Sequence, residues 1–168
     1  DEDNRDIYVQ VVGSGDPLRL TTHPARDDSP AWSPDGKQIA FVRSVNPSLW
    51  DIMVVSALGG AERRLATIAR RPVSASLRIS WTPDGRFVLA PHLFSSQSRL
   101  TLVSVVTGEI SPLSTPPPGH QDISGVISPD GKALAFLRST TSNNWRVQVQ
   151  PLETGYRLSG SPRSFGPF

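Results

Sequence analysis

The chain has 168 residues, of which 37% are apolar, 16 are proline and 13 are glycine. This length supports one domain with a substantial core, and the composition favours short strands joined by turns over a helical bundle. The chain contains no cysteine, which excludes a disulfide framework and a thiolate metal site without fixing the compartment. Its net charge is only +2, with 15 arginines and 2 lysines against 15 acids, and it has no long basic stripe, so nucleic-acid binding is not expected.

The sequence also shows no membrane span and no signal peptide. Every apolar run is far shorter than the roughly 18 residues that a spanning helix needs. The chain does not begin with Met. We therefore expect a processed protein or a piece of a longer one.

The chain opens with a predicted hairpin. Residues 1–5 are polar and are expected to fray, residues 6–12 have strand composition, residues 13–16 form a turn, and residues 18–22 form a short strand. Residues 23–29 are predicted to be a loop that leads into the next hairpin.

The next hairpin, residues 29–41, organises the rest of the chain. Its turn is Ser33-Pro34-Asp35-Gly36. Proline presets φ at the second turn position, aspartate suits the third, and glycine accepts the left-handed geometry that follows. Apolar runs on both sides supply the strands. The same turn returns at residues 82–85 and 128–131, so that the turn prolines are 49 and 46 residues apart.

Each of these hairpins is followed by the same sequence of predicted elements: a short Ser/Asn-rich loop, a long apolar strand, a glycine turn and a short strand. The loops are residues 44–48, 95–98 and 139–144. The short strands carry leucines that recur at intervals of 45, 48 and 45 residues, at Leu20, Leu65, Leu113 and Leu158. Residues 65–78 could be mistaken for a helix, but they lack an N-cap and contain Pro72, so we predict a loop.

Four antiparallel strands repeated every 45 to 49 residues are typical of β-propeller blades. We predict an all-β fold: one partial β-propeller domain, residues 1–168, of about three and a half four-stranded antiparallel blades. The half blade is residues 6–22, the full blades are 29–67, 79–115 and 124–160, and 161–168 is a tail. Trp32 and Trp81, which precede matching turns, are expected to pack in the core.

The stretch Pro30-Ala31-Trp32-Ser33-Pro34-Asp35-Gly36-Lys37-Gln38-Ile39-Ala40-Phe41, with Asp51-Ile52-Met53-Val54 after it, resembles the WD-repeat-like β-propeller repeat of the TolB type. Thr82 replaces the turn serine in the second copy, and Ile127 replaces the tryptophan in the third. The resemblance implies a periplasmic binding propeller, a sensor propeller of membrane-tethered winged-helix regulators or serine/threonine kinases, or the propeller that covers the active site in prolyl oligopeptidases. It implies fold more than function.

No catalytic constellation, metal site or cofactor motif is apparent. The sequence has no Gly-x-Ser-x-Gly elbow, and Asp35, Asp84 and Asp130 are read as turn residues, not calcium ligands. The best candidates for a binding surface are the loops between blades, because loops on a rigid scaffold often carry function. These candidates are His23, Arg26, Asp27, Asp28, Arg70, Arg71, His120, Gln121 and Asp122.

We predict a non-catalytic module for protein interaction or ligand sensing in a larger, extracytoplasmic bacterial protein. Its expected partners are proteins, further blades of a parent chain, or a second copy that pairs through exposed blade edges; neither nucleic acid nor membrane insertion is expected. The alternatives are the substrate-gating propeller of a prolyl-oligopeptidase-like serine hydrolase, whose catalytic domain lies elsewhere, and a propeller enzyme that acts on glycans with paired acids.

Overall fold

The computed structural model describes residues 4–13, 15–69, 78–94, 97–141 and 144–166. Over these residues the protein is all-β, with fifteen strands and no helix, and hence no helix that could cross a membrane. The strands are β1 (Tyr8–Val9), β2 (Leu18–Arg19), β3 (Asp27–Trp32), β4 (Gln38–Asn46), β5 (Leu49–Ser56), β6 (Arg63–Ala69), β7 (Ser80–Trp81), β8 (Phe87–Phe94), β9 (Gln97–Ser104), β10 (Ile110–Pro112), β11 (Gln121–Ile127), β12 (Ala133–Thr141), β13 (Asn144–Glu153), β14 (Arg157–Leu158) and β15 (Arg163–Phe165).

The strands form four antiparallel sheets in chain order. The first sheet is the pair β1–β2, the second is β3-β4-β5-β6, and the third is β7-β8-β9-β10. The fourth is β11-β12-β13-β14, with β15 also paired to β13. The inner strand of each larger sheet is its first strand, β3, β7 or β11. The inner strand β7 contacts both β3 and β11, and β6 contacts β8 and β9 of the next sheet. This arrangement confirms the predicted partial propeller.

The recurring turn is built from the same local hydrogen bonds in each of the three large sheets. In the second sheet, Ser33 Oγ donates to Asp35 Oδ1 over 2.6 Å and accepts the Gln38 N–H over 2.9 Å. The same carboxylate oxygen accepts the Lys37 N–H over 3.1 Å. Thr82 and Ser128 donate to their turn aspartates in the same way. The turn residues therefore fix the start of each sheet locally, as the sequence predicts.

Apolar side chains from facing sheets form three cores. Ile7, Leu20 and Phe41 lie in the core between the first and second sheets. The second and third sheets enclose the largest core, and the third and fourth enclose the last. Since the second and third sheets have a neighbour on both faces, their central strands are buried almost throughout.

The two tryptophans at the matching turns have different environments. Trp81 is 8% exposed, and its indole N–H donates to the backbone oxygen of Ala31 in the preceding sheet over 2.9 Å. Trp32, in contrast, is 54% exposed. The expectation that both tryptophans pack in the core is therefore wrong for Trp32, because among the described residues no inner strand precedes β3 to cover it.

Several strands are longer than the sequence predicts. β4 continues to Asn46, so most of the expected loop at residues 44–48 is strand. β6 extends to Ala69 and so occupies residues 65–69 of the expected loop at 65–78. Pairing with β5 and full burial of Ile68 hold β6 in place. Residues 70–77 lie outside the described residues. In the tail, residues 163–165 form β15, which pairs with β13.

Candidate functional site

Because the strands are antiparallel, the strand ends of each sheet lie on two opposite sides. We call the side with the Pro-Asp-Gly turns and the glycine turns the turn edge. We call the side with the connections from β4 to β5, from β8 to β9 and between consecutive sheets the loop edge. Most of the predicted site residues lie at the loop edge, but the structure does not place them all in loops. By their burial and contacts, these residues divide into some that hold the sheets together and others that remain exposed to solvent.

The sequence places Asp27 and Asp122 in exposed loops, but in the structure both are buried residues that hold the sheets together. Each lies on an inner strand, β3 or β11, and accepts two hydrogen bonds from an arginine on the neighbouring strand. The Arg43 side chain bonds both oxygens of Asp27 at 2.7 Å, and Arg138 bonds those of Asp122 at 2.6 and 2.8 Å. Since a buried carboxylate needs a partner, these pairs stabilise the sheets and leave neither acid open to a ligand.

Arg43 has a second acid partner. Its other terminal nitrogen lies 2.6 Å from a carboxylate oxygen of Glu62. Burial lowers the pKa of Arg43, but the hydrogen bonds to Asp27 and Glu62 outweigh that effect and hold the pKa above its ordinary value. The guanidinium group also lies 5.4 Å from the Phe41 ring centre. This network fixes β3, β4 and the start of the β6 region to one another.

Three other predicted residues make local contacts. His23 Nδ1 accepts the Ala25 N–H over 3.0 Å, and the His120 ring lies 3.1 Å from the backbone oxygen of Pro118. Gln121 is the first residue of β11 and is half-buried. Over the described residues, no group of three His, Asp or Glu side chains is arranged to hold a metal ion. Arg70 and Arg71 lie outside the described residues.

Arg26 and Asp28 are the predicted residues that remain accessible and charged. Arg26 donates to Asp28 over 2.7 Å, and Arg5 lies 3.6 Å from the same carboxylate. Partial burial raises the pKa of Asp28, but its hydrogen bonds with Arg26 and the Ser29 N–H hold the pKa below its ordinary value. The carboxylate is therefore ionised at neutral pH and lies between two arginines.

Next to this group is a cavity of about 300 Å³ between the inner strands of the second and third sheets, which we name the inner-strand notch. It is lined by Asp28, Ser29, Pro30, Arg78 and Ile79. Ser29 has a φ of 54° at a bulge in β3, a left-handed conformation that is uncommon for residues other than glycine. Arg78 is exposed, and it forms no ion pair with any residue that the structure describes. The notch thus presents the exposed guanidinium of Arg78 beside the ionised carboxylate of Asp28, whose charge is balanced by Arg26.

A larger cleft of about 710 Å³ lies at the opposite, turn edge, between the third and fourth sheets. Its lining includes Asp84, Arg86, Lys132 and Tyr156. Burial raises the pKa of Tyr156, as does its hydrogen bond to Asp84. For Asp84, burial raises the pKa, but its bonds to Thr82, Arg86 and Tyr156 prevail and lower it to about 2. These contacts hold the turn together, so we read the cleft as a junction between sheets.

The paired Asp–Arg network is a feature that the sequence reasoning missed. Asp27 and Arg43 are 16 residues apart, as are Asp122 and Arg138, and the two pairs are 95 residues apart. That repeated spacing could have identified them. The third sheet has His92 at the position that corresponds to Arg43, and burial lowers the pKa of that histidine.

The chain matches no protein-family model. It is 25% identical over 174 residues to the uncharacterized peptidase YuxL of Bacillus subtilis, an alignment that covers 82% of this chain and 26% of YuxL. TolB from Acinetobacter baumannii has a TM-score of 0.71 at 22% identity, which covers 91% of this chain and 37% of that structure. Puromycin hydrolase has a TM-score of 0.67 at 15% identity, which covers 90% of this chain and 23% of that structure.

The chain thus spans only 26% of the length of its curated relative and 37% of the length of the TolB structure. At these identities the structural likeness shows the fold and leaves the activity open. The chain has the fold of a partial, TolB-like β-propeller.

Proposed function

We propose that the chain is a non-catalytic interaction segment of a larger, extracytoplasmic bacterial protein, with a repeat of the TolB-type, WD-repeat-like family. The proposal rests on the contrast between the buried, paired charged residues of the chain and those that remain exposed. The buried acids Asp27 and Asp122 are engaged in structural pairs, while the inner-strand notch leaves the guanidinium of Arg78 exposed at the loop edge. Such a site can hold a carboxylate of a protein partner, but it offers no nucleophile–base pair.

A binding experiment tests this role. The immobilised chain would be incubated with the envelope fraction of a bacterium that encodes it, and retained proteins would be identified by mass spectrometry. Arg78→Glu reverses the charge at the notch, so we expect it to lower retention of the specific partner at least tenfold. The matched control is Arg157→Glu, an exposed arginine at the turn edge, which should retain the partner. Equal retention by the wild type and by Arg78→Glu would refute the assignment of the notch.

A second function is favoured by the comparison with YuxL. The chain would then be the substrate-gating propeller of a prolyl-oligopeptidase-like serine hydrolase, whose catalytic domain lies elsewhere. The test is the coding sequence on either side of this segment, followed by labelling of the encoded protein with a fluorophosphonate probe. A Gly-x-Ser-x-Gly elbow and a labelled serine would favour the hydrolase. A winged-helix or kinase domain with a membrane span would favour the interaction module.

A further inference from the structure

The fourth sheet repeats the Asp–Arg pair of the second sheet but lacks its second acid. Arg138 bonds Asp122 through its Nε and one terminal nitrogen. In the second sheet the remaining terminal nitrogen of Arg43 lies 2.6 Å from a carboxylate oxygen of Glu62. Over the described residues, the remaining nitrogen of Arg138 has no carboxylate partner, although the side chain is only 14% exposed.

The residue opposite the arginine also differs in charge between the two sheets. Strand pairing places Asp51 opposite Arg43, whereas it places Arg146 opposite Arg138. Directly opposite side chains of antiparallel strands lie on the same face, where like charges destabilise the sheet. The Nε of Arg146 is buried and has no hydrogen-bond partner among the residues that the structure describes. This part of the fourth sheet thus holds two guanidinium groups and one carboxylate.

The facing sheet does not balance the excess positive charge. Leu134, Phe136 and Arg138 alternate along β12 and so point to the same face. Leu134 and Phe136 pack in the core between the third and fourth sheets, which shows that this face is turned towards the third sheet. The strands β8, β9 and β10 of the third sheet contain no acid.

A cavity of about 450 Å³ lies beside Arg138, between the outer strands of the third and fourth sheets. Sites that hold small molecules typically enclose about 300–1,000 Å³. Arg157 also borders this cavity, but its side chain is 78% exposed and lies 3.8 Å from Glu153, so Arg138 is the buried cation. The rest of the lining mixes polar and apolar side chains and includes Leu113, Thr115, Gln150 and Leu158.

Gln150 gives the fourth sheet a polar wall where the other large sheets are apolar. By strand pairing it corresponds to Val55 in the second sheet and Val103 in the third. Gln150 is only 9% exposed, and its amide nitrogen donates to the backbone oxygen of Gly160 over 2.9 Å. The polar wall and the unbalanced arginines occur in the same sheet and at the same cavity.

We propose that this cavity binds a small monocarboxylic acid, whose carboxylate bonds the remaining terminal nitrogen of Arg138 as Glu62 bonds that of Arg43. One carboxylate balances the one excess positive charge. Hydrogen bonds between a guanidinium and a carboxylate are roughly twice as strong as those between neutral groups, so a partly buried arginine favours this ligand. The cavity is separate from the inner-strand notch, and the inference does not depend on the proposed function.

Titration of the complete, ¹⁵N-labelled chain with butyrate, followed by NMR at pH 7 and constant ionic strength, tests the proposal. We expect saturable shifts of the backbone amide signals of Gln150, Leu113 and Leu158. Butyramide, which has nearly the same shape but no charge, should bind at least tenfold more weakly. Inorganic phosphate should also bind at least tenfold more weakly than butyrate.

Two variants supply the missing acid from the chain itself. Arg146→Asp restores the pattern of Arg43 and Asp51, so it should raise the dissociation constant of butyrate at least tenfold and also raise the melting temperature. Gln150→Glu places a carboxylate at the wall of the cavity and should weaken butyrate binding by a similar factor. The matched control is Arg163→Asp, an exposed arginine opposite Val149 on the other face of the sheet, which should bind butyrate as the wild type does.

Three results would overturn the proposal. The first is the absence of saturable shifts with butyrate up to about 50 mM. The second is butyrate binding that both Arg146→Asp and Gln150→Glu leave unchanged, because the ligand must then lie elsewhere. The third is equal binding of butyrate and either butyramide or phosphate, which would show that the cavity does not select a carboxylate.

Discussion

Removal of the Asp27 carboxylate should destabilise the protein strongly. Asp27 is 1% exposed and bonds Arg43 through both oxygens at 2.7 Å. The Asp27→Ala variant leaves a buried guanidinium that has lost two of its three contacts with carboxylate oxygens, and breaking a buried ion pair in this way typically costs about 3–5 kcal/mol. Because Glu62 still contacts Arg43, we expect the lower end, about 3 kcal/mol. That is a large part of the ~5–15 kcal/mol that holds a typical domain folded.

The assay is equilibrium unfolding in urea, followed by tryptophan fluorescence and by circular dichroism. Asp16→Ala, which changes an exposed turn aspartate, is the control and should alter the free energy of unfolding by less than ~0.5 kcal/mol. The double variant Asp27→Leu/Arg43→Met replaces the pair with apolar groups and should recover at least half of the loss. A cost below about 1 kcal/mol for Asp27→Ala would refute the reasoning that this pair is buried and structural.

Three further variants test other contacts. Asp84 has a pKa of about 2 against 3.8 for a free aspartate, so the stability that its carboxylate contributes is complete above pH 4 and is lost as the pH falls through 2. After allowance for its exposure, Asp84→Asn should lower the free energy of unfolding in urea by about 1 kcal/mol at pH 7 and by almost nothing at pH 2. Gly108→Ala would place a Cβ 2.2 Å from a backbone oxygen of the second sheet and should lower the melting temperature far more than Gly155→Ala, which has a similar φ and open space. Trp81→Phe loses an intersheet hydrogen bond and should cost about 1–2 kcal/mol, whereas Trp32→Phe should change stability by less than ~0.5 kcal/mol.

The sequence predicts the sheets well because their turns are local. Ser33, Pro34, Asp35 and Gly36 define a turn through contacts within six residues, and its repetition at blade spacing gives the strand order. Burial is harder to predict from sequence because it depends on which sheet comes next. Trp32 occupies the same place in the repeat as Trp81, but within the part of the chain that the structure describes only Trp81 has an inner strand before it to pack against.

The candidate site is predicted only in part, for a related reason. Asp27 and Asp28 are adjacent acids at the start of β3, and the sequence treats them alike. Neighbouring side chains on a strand point to opposite faces, so Asp27 meets Arg43 inside the sheet while Asp28 borders the notch. Their different roles follow from the register of β3 against β4, which includes a bulge after Asp28 that no local motif specifies.

The fold is defined by the stacking of separate sheets around inner strands that lie together. A crystal structure of the chain tests this most directly. We predict β3, β7 and β11 side by side, with the Trp81 indole N–H on the backbone oxygen of Ala31 and an Asp–Arg pair at the loop edge of the second and fourth sheets. A two-layer sandwich, or helices packed over the Pro-Asp-Gly hairpins, would contradict it.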